Sequence, residues 1–330
     1  MIPKPAHNLQ RGVIHLIIPV VIILIVLLGL VFLALQKGKI SPPPLNNYKQ
    51  SSQKEKGNEL WTEGGVAVAG AYADADVVDL GNGKFRMYYS AEPETQGFQG
   101  QVYSAVTSDG KNWSKEEGTR ITSAIFPSVI KLPDGRFRMY FQDRPNIKSA
   151  ISTDGLTWER EQGVRIDTTN TAGLALTGVL SPTVIKTGVE YLMVYAGAIN
   201  EPYGKEKVPN KETHPLLWAT SKDGLTFEPK GIAVDSRNET FKGWMDGPEL
   251  VAWDDGTIRL YFFGYFGFYQ SIFENGIFSE PEFVFYGPNF DDKLFPSDPP
   301  GDPTLAKIGN NWYLFYGYHK KGIYYATLDK

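Results

Sequence analysis

Hydrophobic and polar positions divide the chain into stretches of different pattern. Residues 13–35 form an apolar run without a formal charge, and about 20 apolar residues suffice for a helix to cross a bilayer. Residues 36–57 are polar and proline-rich, which is typical of a linker that cannot bury a core. From residue 58 to residue 330, short segments rich in aromatic and aliphatic residues alternate with turn residues and predict β-strands. A short tail, residues 1–12, precedes the apolar run.

One pattern recurs five times in the region 58–330. Each copy has a strand-start motif with two apolar residues, then a turn, then an aromatic-rich strand. The strand-start motifs are residues 74–78, 126–130, 181–185, 246–251 and 302–305, and the aromatic strands are residues 84–89, 136–141, 191–195, 258–262 and 312–316. Repeats of this length with about four short strands each are typical of propeller blades. The sequence therefore predicts an all-β fold, a five-bladed β-propeller of four-stranded blades, preceded by one transmembrane helix.

Two further features specify how the blades connect. Asp-Gly pairs at Asp109, Asp154 and Asp223 each stand between a strand and an aromatic residue, and we interpret them as structural hairpin turns. The last copy has room for only three strands, while residues 61–66 resemble the outer strand that follows the Asp-Gly turns. The N-terminal strand is therefore predicted to complete the last blade, because ring closure leaves no open sheet edge.

The strand order of a blade brings the strand-start motifs to the same face as the connections between second and third strands. That face is predicted to collect the candidate catalytic residues Asp74, Asp246 and Asp302 and the candidate substrate-binding residues Asp76, Glu92, Asp143, Arg144, Trp244, Glu249, Tyr265 and His319. The longest such connection, residues 198–214, is either a wall over this face or a solvated loop.

Carboxylates around a concave, aromatic-lined mouth suit the cleavage of a glycosidic bond. One carboxyl group protonates the leaving oxygen and another activates water or attacks the sugar. Crowded carboxylates raise one another's pKa, so that one can remain protonated near neutral pH. The competing interpretation is that an Asp before a Pro caps a turn at the start of a strand.

Composition and charge exclude several other classes of protein. The net charge of −4 at pH 7 gives no basic surface for nucleic acid. The chain has no cysteine, which excludes disulfides and cysteine-ligated metals. No cofactor or metal is expected. A cation near His319 would rest on one histidine and some carboxylates, and a hydrogen-bonded structural histidine is the favoured interpretation.

The strand-start motifs resemble those of the five-bladed glycoside hydrolases of family 43 (arabinanases and xylosidases) and, more loosely, the invertase and levansucrase group. Asp74 stands where this family has its first-blade Asp, and Asp246-Gly247-Pro248 is similar to the family's Glu-Gly-Pro motif. The resemblance implies that Asp74 is the base or nucleophile and Asp246 the acid, with Asp302 assisting. The family's middle-blade Asp corresponds to Ser181, a departure that suits a divergent family such as the mannoside-acting propellers, or a site that has lost catalysis. Sialidases are a second resemblance, through the Asp-Gly turns, but they have six blades.

We therefore predict a membrane-anchored glycosidase acting on oligo- or polysaccharides, with the bilayer as a second partner through residues 13–35. Lysines and arginines flank the apolar run on both sides and do not orient it, so the extracytoplasmic placement of the propeller follows from its substrate. Two alternatives stay open. One is a glycan-binding propeller without turnover, which Ser181 favours; the other is a scaffold for protein partners, since a fold does not fix a function.

Overall fold

The structure, a computed structural model, describes residues 61–169, 173–201, 203, 212–264, 267–285, 300–318 and 320–328. These residues form five antiparallel sheets, each built from consecutive strands except the last. The tail 1–12, the apolar run 13–35 and the linker 36–57 lie outside the described residues. Within the described part of the chain, no helix is long and apolar enough to cross a membrane.

The strand order is that of five propeller blades. β1 (Trp61–Ala69) belongs to the last blade, and the first blade holds β2 (Tyr72–Gly81), β3 (Lys84–Ala91), β4 (Val102–Thr107) and β5 (Ser114–Lys115). The second blade holds β6 (Ile125–Lys131), β7 (Phe137–Asp143), β8 (Asn146–Ser152) and β9 (Glu159–Arg160). The third holds β10 (Gly178–Thr187), β11 (Glu190–Ala198), β12 (Leu216–Ser221) and β13 (Glu228–Val234). The prediction of four-stranded blades is confirmed.

The fourth blade has a divided outer edge. It holds β14 (Met245–Ala252), β15 (Ile258–Gly264), β16 (Gly267–Glu274), β17 (Ile277–Phe278) and β18 (Glu282–Phe285), and both β17 and β18 pair with β16. The fifth blade holds β19 (Pro300–Ile308), β20 (Asn311–Tyr318) and β21 (Gly322–Leu328).

The N-terminal strand closes the ring, as the sequence predicts. β1 pairs antiparallel with β21, and Trp61 lies opposite Leu328 in the register. The fifth blade therefore joins the first and last described strands of the chain. Trp61 is 2% exposed and packs in the apolar cluster between the fourth and fifth blades.

The hydrophobic core lies between neighbouring blades. Five clusters of buried residues each join the strands of two adjacent sheets. The same position in the second strand of every blade is 0% exposed, and its occupants are Met87, Met139, Met193, Leu260 and Leu314. Removing such a buried side chain typically costs about 2–5 kcal/mol, so the interfaces between blades stabilise the ring as a whole.

The Asp-Gly turns fasten neighbouring blades to each other. Asp154 Oδ1 accepts hydrogen bonds from the amides of Leu156 and Thr157, each 2.8 Å long. These bonds lower the pKa of Asp154 to about 2 and shape its turn. The carbonyl of Gly155 in turn accepts a bond from Tyr88 Oη of the first blade at 2.8 Å. Tyr140 and Tyr313 reach the Asp223 and Asp109 turns in the same way, so the structural interpretation of these turns is confirmed.

Ring closure through β1 yields a first prediction. Trp61→Ala should lower the free energy of unfolding by about 3–5 kcal/mol, because it leaves a cavity between the fourth and fifth blades. Val66→Ala is the matched control in the same strand, since Val66 is 43% exposed and its truncation should change stability by no more than about 0.5 kcal/mol. Denaturant unfolding compares the two variants, and equal effects would contradict the role of Trp61 in closure.

Candidate active site

Each of the five inner strands carries the same backbone irregularity. A residue near its start has a left-handed conformation, with φ between 45° and 54°, and the pairing with the next strand shifts register there. The five left-handed residues are Asp74, Phe126, Ser181, Gly247 and Asp302. This conformation costs a residue with a side chain about 1–2 kcal/mol, and such strain concentrates at functional sites.

These left-handed residues and their successors line one pocket, which we call the mouth pocket. Its empty volume is about 280 Å³, part of it open to solvent. The lining residues are Asp74, Ala75, Phe126, Pro127, Ser181, Pro182, Gly247, Pro248, Glu249, Asp302 and Pro303. The strand-start motifs of all five blades therefore converge, as the sequence predicts.

Gly247 is the left-handed residue that must lack a side chain. A Cβ atom at this position would lie 2.7 Å from both Cα and Oδ1 of Asp302. Real Cβ contacts are not this short, so the close approach of the fourth and fifth blades requires glycine at residue 247. Asp246, one residue earlier, is not among the residues that line the mouth pocket, but its charge acts on Asp74 and Asp302.

Asp74 and Asp302 form a carboxyl pair that shares a hydrogen bond. Burial, opposed by a hydrogen bond from Ser90 and supported by the charges of Glu92 and Asp246, raises the pKa of Asp74 to about 7. Burial and the charge of Asp74 raise the pKa of Asp302 well above its ordinary value. Two carboxylates in contact cannot both ionise easily, so the pair retains a proton near neutral pH.

Asp246 behaves in the opposite way. Burial alone would raise its pKa, but hydrogen bonding and charge from His214, with the hydrogen bonds of Ser181 and Gly247, lower it. Ser181 Oγ donates to Asp246 Oδ1 at 2.5 Å, and the Gly247 amide donates to the same oxygen at 2.9 Å. The family resemblance implies that Asp246 is the acid. These donors, by contrast, stabilise the ionised form of the Asp246 carboxyl group.

His214 is a site residue that the sequence did not indicate. It stands at the end of the long connection 198–214, and its ring is 4% exposed. Nδ1 lies 3.4 Å from Asp246 Oδ2, and Nε2 lies 3.4 Å from Glu212 Oε2. The ring stacks on Trp244 with centroids 4.9 Å apart. No motif surrounds this histidine, so only the position of the connection on the predicted functional face could have drawn attention to it.

Glu92 adds a further negative charge to the site. It is 6% exposed, in the connection that follows β3, and its charge contributes to the raised pKa values of Asp74 and Asp302. Its predicted location near the strand-start carboxylates is consistent with this coupling. Together with Trp244 beside His214, it extends the site beyond the lining of the mouth pocket.

Asp76 and Glu249 hold blades together below the left-handed residues. Asp76 Oδ2 accepts a hydrogen bond from the Val129 amide of the next blade at 2.9 Å. Glu249 accepts hydrogen bonds from Thr183 at 3.2 Å and Thr304 at 3.0 Å. Burial raises the pKa of both carboxyl groups, that of Asp76 to about 7. Their contacts indicate a structural role in the ring, whereas Glu249 also borders the mouth pocket.

The remaining candidates have no described contact with the carboxyl cluster or fall outside the described residues. Asp143 forms ion pairs with Lys148 at 3.0 Å and Arg160 at 3.4 Å. Arg144 is exposed. Tyr265 and His319 fall outside the described residues. Among the described side chains, no group of three or more has the geometry to hold a metal ion.

Comparison with known proteins gives a likeness of fold. No protein-family model matches the chain, and no curated protein matches it. A putative glycoside hydrolase from Bacteroides ovatus superposes with a TM-score of 0.59 at 14% identity, over 84% of this chain and 95% of that chain. A putative glycosidase from Bacteroides thetaiotaomicron has a TM-score of 0.56 at 16% identity, over 79% of this chain and 87% of that one.

A third similar structure comes from work on family 130, the mannoside phosphorylases, which contains glycoside hydrolases that target β-1,2-mannosidic linkages in Candida mannan. Its TM-score is 0.56 at 16% identity, over 81% of this chain and 85% of that one. At such low identities the likeness concerns the fold. The described chain therefore shares its propeller fold with glycoside hydrolases.

Proposed function

We propose that this protein cleaves O-glycosidic bonds of oligo- or polysaccharides at the mouth pocket. The observation that carries the proposal is the opposite behaviour of carboxyl groups gathered at one site. The Asp74–Asp302 pair retains a proton near neutral pH, whereas Asp246 is held ionised. Groups whose surroundings separate their pKa values are suited to act as acid and base.

The chemistry assigns one role to the pair and another to Asp246. The protonated member of the pair donates its proton to the leaving glycosidic oxygen. Asp74 and Asp302 are in direct contact, too close to lie on opposite sides of a sugar ring, so the second catalytic group comes from another blade. Asp246 is then the base that removes a proton from the attacking water, and the carboxylates stabilise the positive charge that develops on the sugar.

The location that we propose for this reaction is a membrane surface. The apolar run 13–35 would anchor the chain, and the polar linker 36–57 would hold the propeller away from the bilayer. A propeller outside the cytoplasm would meet polymeric carbohydrate there. The support for this placement is the sequence pattern together with the class of substrate.

A glycan-binding protein without turnover is the second candidate. Ser181 stands where the resembled family has an acidic residue, and its hydroxyl is occupied by Asp246. Half-buried Trp244, beside His214, offers an aromatic surface of the kind that can contact a sugar. Both candidates predict carbohydrate binding, and only the first predicts that turnover depends on individual carboxyl groups.

Substitution of the carboxyl groups tests the catalytic assignment. Asp302→Asn, Asp74→Asn and Asp246→Asn should each lower kcat on aryl glycosides or oligosaccharides by about 10²–10⁴-fold, because proton transfer contributes about this much. Asp143→Asn is the matched control at a carboxylate that is paired with Lys148 and Arg160. Sugar binding without turnover, unchanged in all three variants, would establish the binding protein instead.

The pH dependence of kcat/KM should be bell-shaped. Activity should fall as pH rises through about 7, since the Asp74–Asp302 pair then loses the proton that it must donate. It should also fall on acidification, at a pH below 3.8, since the lowered pKa of Asp246 places its protonation there. Initial rates between pH 3 and pH 9 measure both limbs. Activity that rises steadily to pH 9 would contradict the assigned acid.

Stability should respond to two of these substitutions in opposite directions. A carboxyl with a raised pKa stabilises the fold at low pH and loses this contribution as pH rises. Asp302→Asn should therefore raise the stability at pH 8 relative to that at pH 4. Asp246→Asn should lower it by about 1–3 kcal/mol, since it removes charge-assisted hydrogen bonds. Thermal unfolding at pH 4 and pH 8 measures both effects, and parallel changes would contradict the assigned charges.

A further inference from the structure

The connection 198–214 is fixed at its base, directly beside the carboxyl cluster. Ile199 and Thr213 exchange two backbone hydrogen bonds of 2.9 Å, and Thr213 Oγ1 donates to the Glu201 carbonyl at 2.6 Å. The His214 amide donates to the Gly243 carbonyl at 2.8 Å. The backbone of His214 is thus held between the Ile199–Thr213 pair at the base of the connection and the segment that leads into β14.

The imidazole of His214 has its polar contacts with acidic groups. Nδ1 is buried and makes no well-formed hydrogen bond within the described part of the chain, yet it lies 3.4 Å from Asp246 Oδ2. Nε2 lies 3.4 Å from Oε2 of Glu212, whose side chain is 34% exposed. A buried imidazole between two carboxylates is stabilised in its charged form.

The two oxygens of Asp246 therefore have different partners. Oδ1 accepts the short bond from Ser181 and the bond from the Gly247 amide, whereas the contact described for Oδ2 is the longer one with His214. Long catalytic hydrogen bonds often tighten when substrate binds. In the proposed reaction, Oδ2, which is not bonded by Ser181 or Gly247, is the oxygen that accepts the proton of the attacking water.

We propose that His214 is a positioning residue that holds the Asp246 carboxylate ionised and oriented for its role as base, with Glu212 holding the far side of the imidazole. This inference rests on the proposed function. It gives the described end of the connection 198–214 a specific task, because His214 there is the one cationic partner described for Asp246. Trp244 fixes the plane of the imidazole by stacking on it.

The charges around this pair determine the direction of its effect. Asp246 contacts His214 and also interacts electrostatically with the carboxyl pair. Its negative charge contributes to the raised pKa values of Asp74 and Asp302. Burial outweighs every other single influence on Asp246 and acts to raise its pKa. Without the imidazole, burial and neighbouring negative charge would make ionisation of Asp246 less favourable.

Two variants of His214 separate its chemistry from its packing. His214→Phe retains a ring against Trp244 but removes the N–H group and the charge. It should move the acidic limb of the kcat/KM profile to higher pH by at least one unit. If the shifted limb lies above pH 5, kcat/KM at pH 5 falls by up to about tenfold for each pH unit between the limb and pH 5. His214→Asn returns an N–H donor near the position of Nδ1 and should restore part of the shift. Glu212→Gln should move the limb in the same direction by less.

The control in the same connection is Tyr203→Phe, which removes a 3.1 Å hydrogen bond to Glu239 and should leave the acidic limb in place. A direct reading of Asp246 accompanies the kinetics: ¹³C NMR titration of aspartate carboxyl groups in the full chain, assigned with Asp246→Asn. The Asp246 carboxyl should titrate below 3.8 in the unaltered protein and at higher pH in His214→Phe.

The outcomes separate this inference from the proposed function. If no glycoside is turned over, the proposed function fails, and the NMR titration still decides whether His214 holds Asp246 ionised. A uniform loss of rate at every pH, with an unchanged Asp246 titration in His214→Phe, would show that His214 only packs against its neighbours and would overturn the inference.

Discussion

The left-handed residue at the start of every inner strand is the constraint on which the site depends. It shifts the register of the first strand pair in each blade, and the residues that adopt it line a single pocket. Just beyond it, Asp76, Ser128 and Thr183 accept hydrogen bonds from amides of the next blade. The left-handed residues thus line the pocket, and the side chains of Asp76, Ser128 and Thr183, just beyond them, join neighbouring blades.

Close convergence of the blades has an electrostatic consequence. Asp74, Asp246, Asp302 and Glu92 come near enough to influence one another, and removal from water makes each charge harder to maintain. The buried carboxyl groups have different hydrogen-bond and charge partners. Asp246 receives a hydroxyl, an amide and an imidazole, whereas Asp302 receives another carboxyl. Unequal partners, rather than unequal residue types, therefore shift the pKa of Asp302 upward and that of Asp246 downward.

Several parts of this arrangement follow from local sequence. The five strand-start motifs, the aromatic strands and the Asp-Gly turns recur in a fixed order, and each requires only short-range physics: strand periodicity and turn chemistry. The incomplete last copy and the strand-like residues 61–66 together predicted the closure seen between β1 and β21. Asp74 and Asp302 were found because they stand at the same place within a repeat, with Asp246 one residue before that place, and repeats superpose in space.

The sequence by itself determined the blade count, the closing strand and the face that gathers the carboxyl groups, because periodic patterns report local backbone geometry. Only the tertiary structure decided which partners each carboxyl group meets, and with them the direction in which its pKa is shifted. A pKa depends on burial and on partners that are distant in sequence: Ser181 and His214 both reach Asp246 from another blade. It also decided that Asp76 and Glu249 fasten blades while Asp302 contacts Asp74, since residues two positions apart in a strand-start motif face different neighbours once the ring has closed.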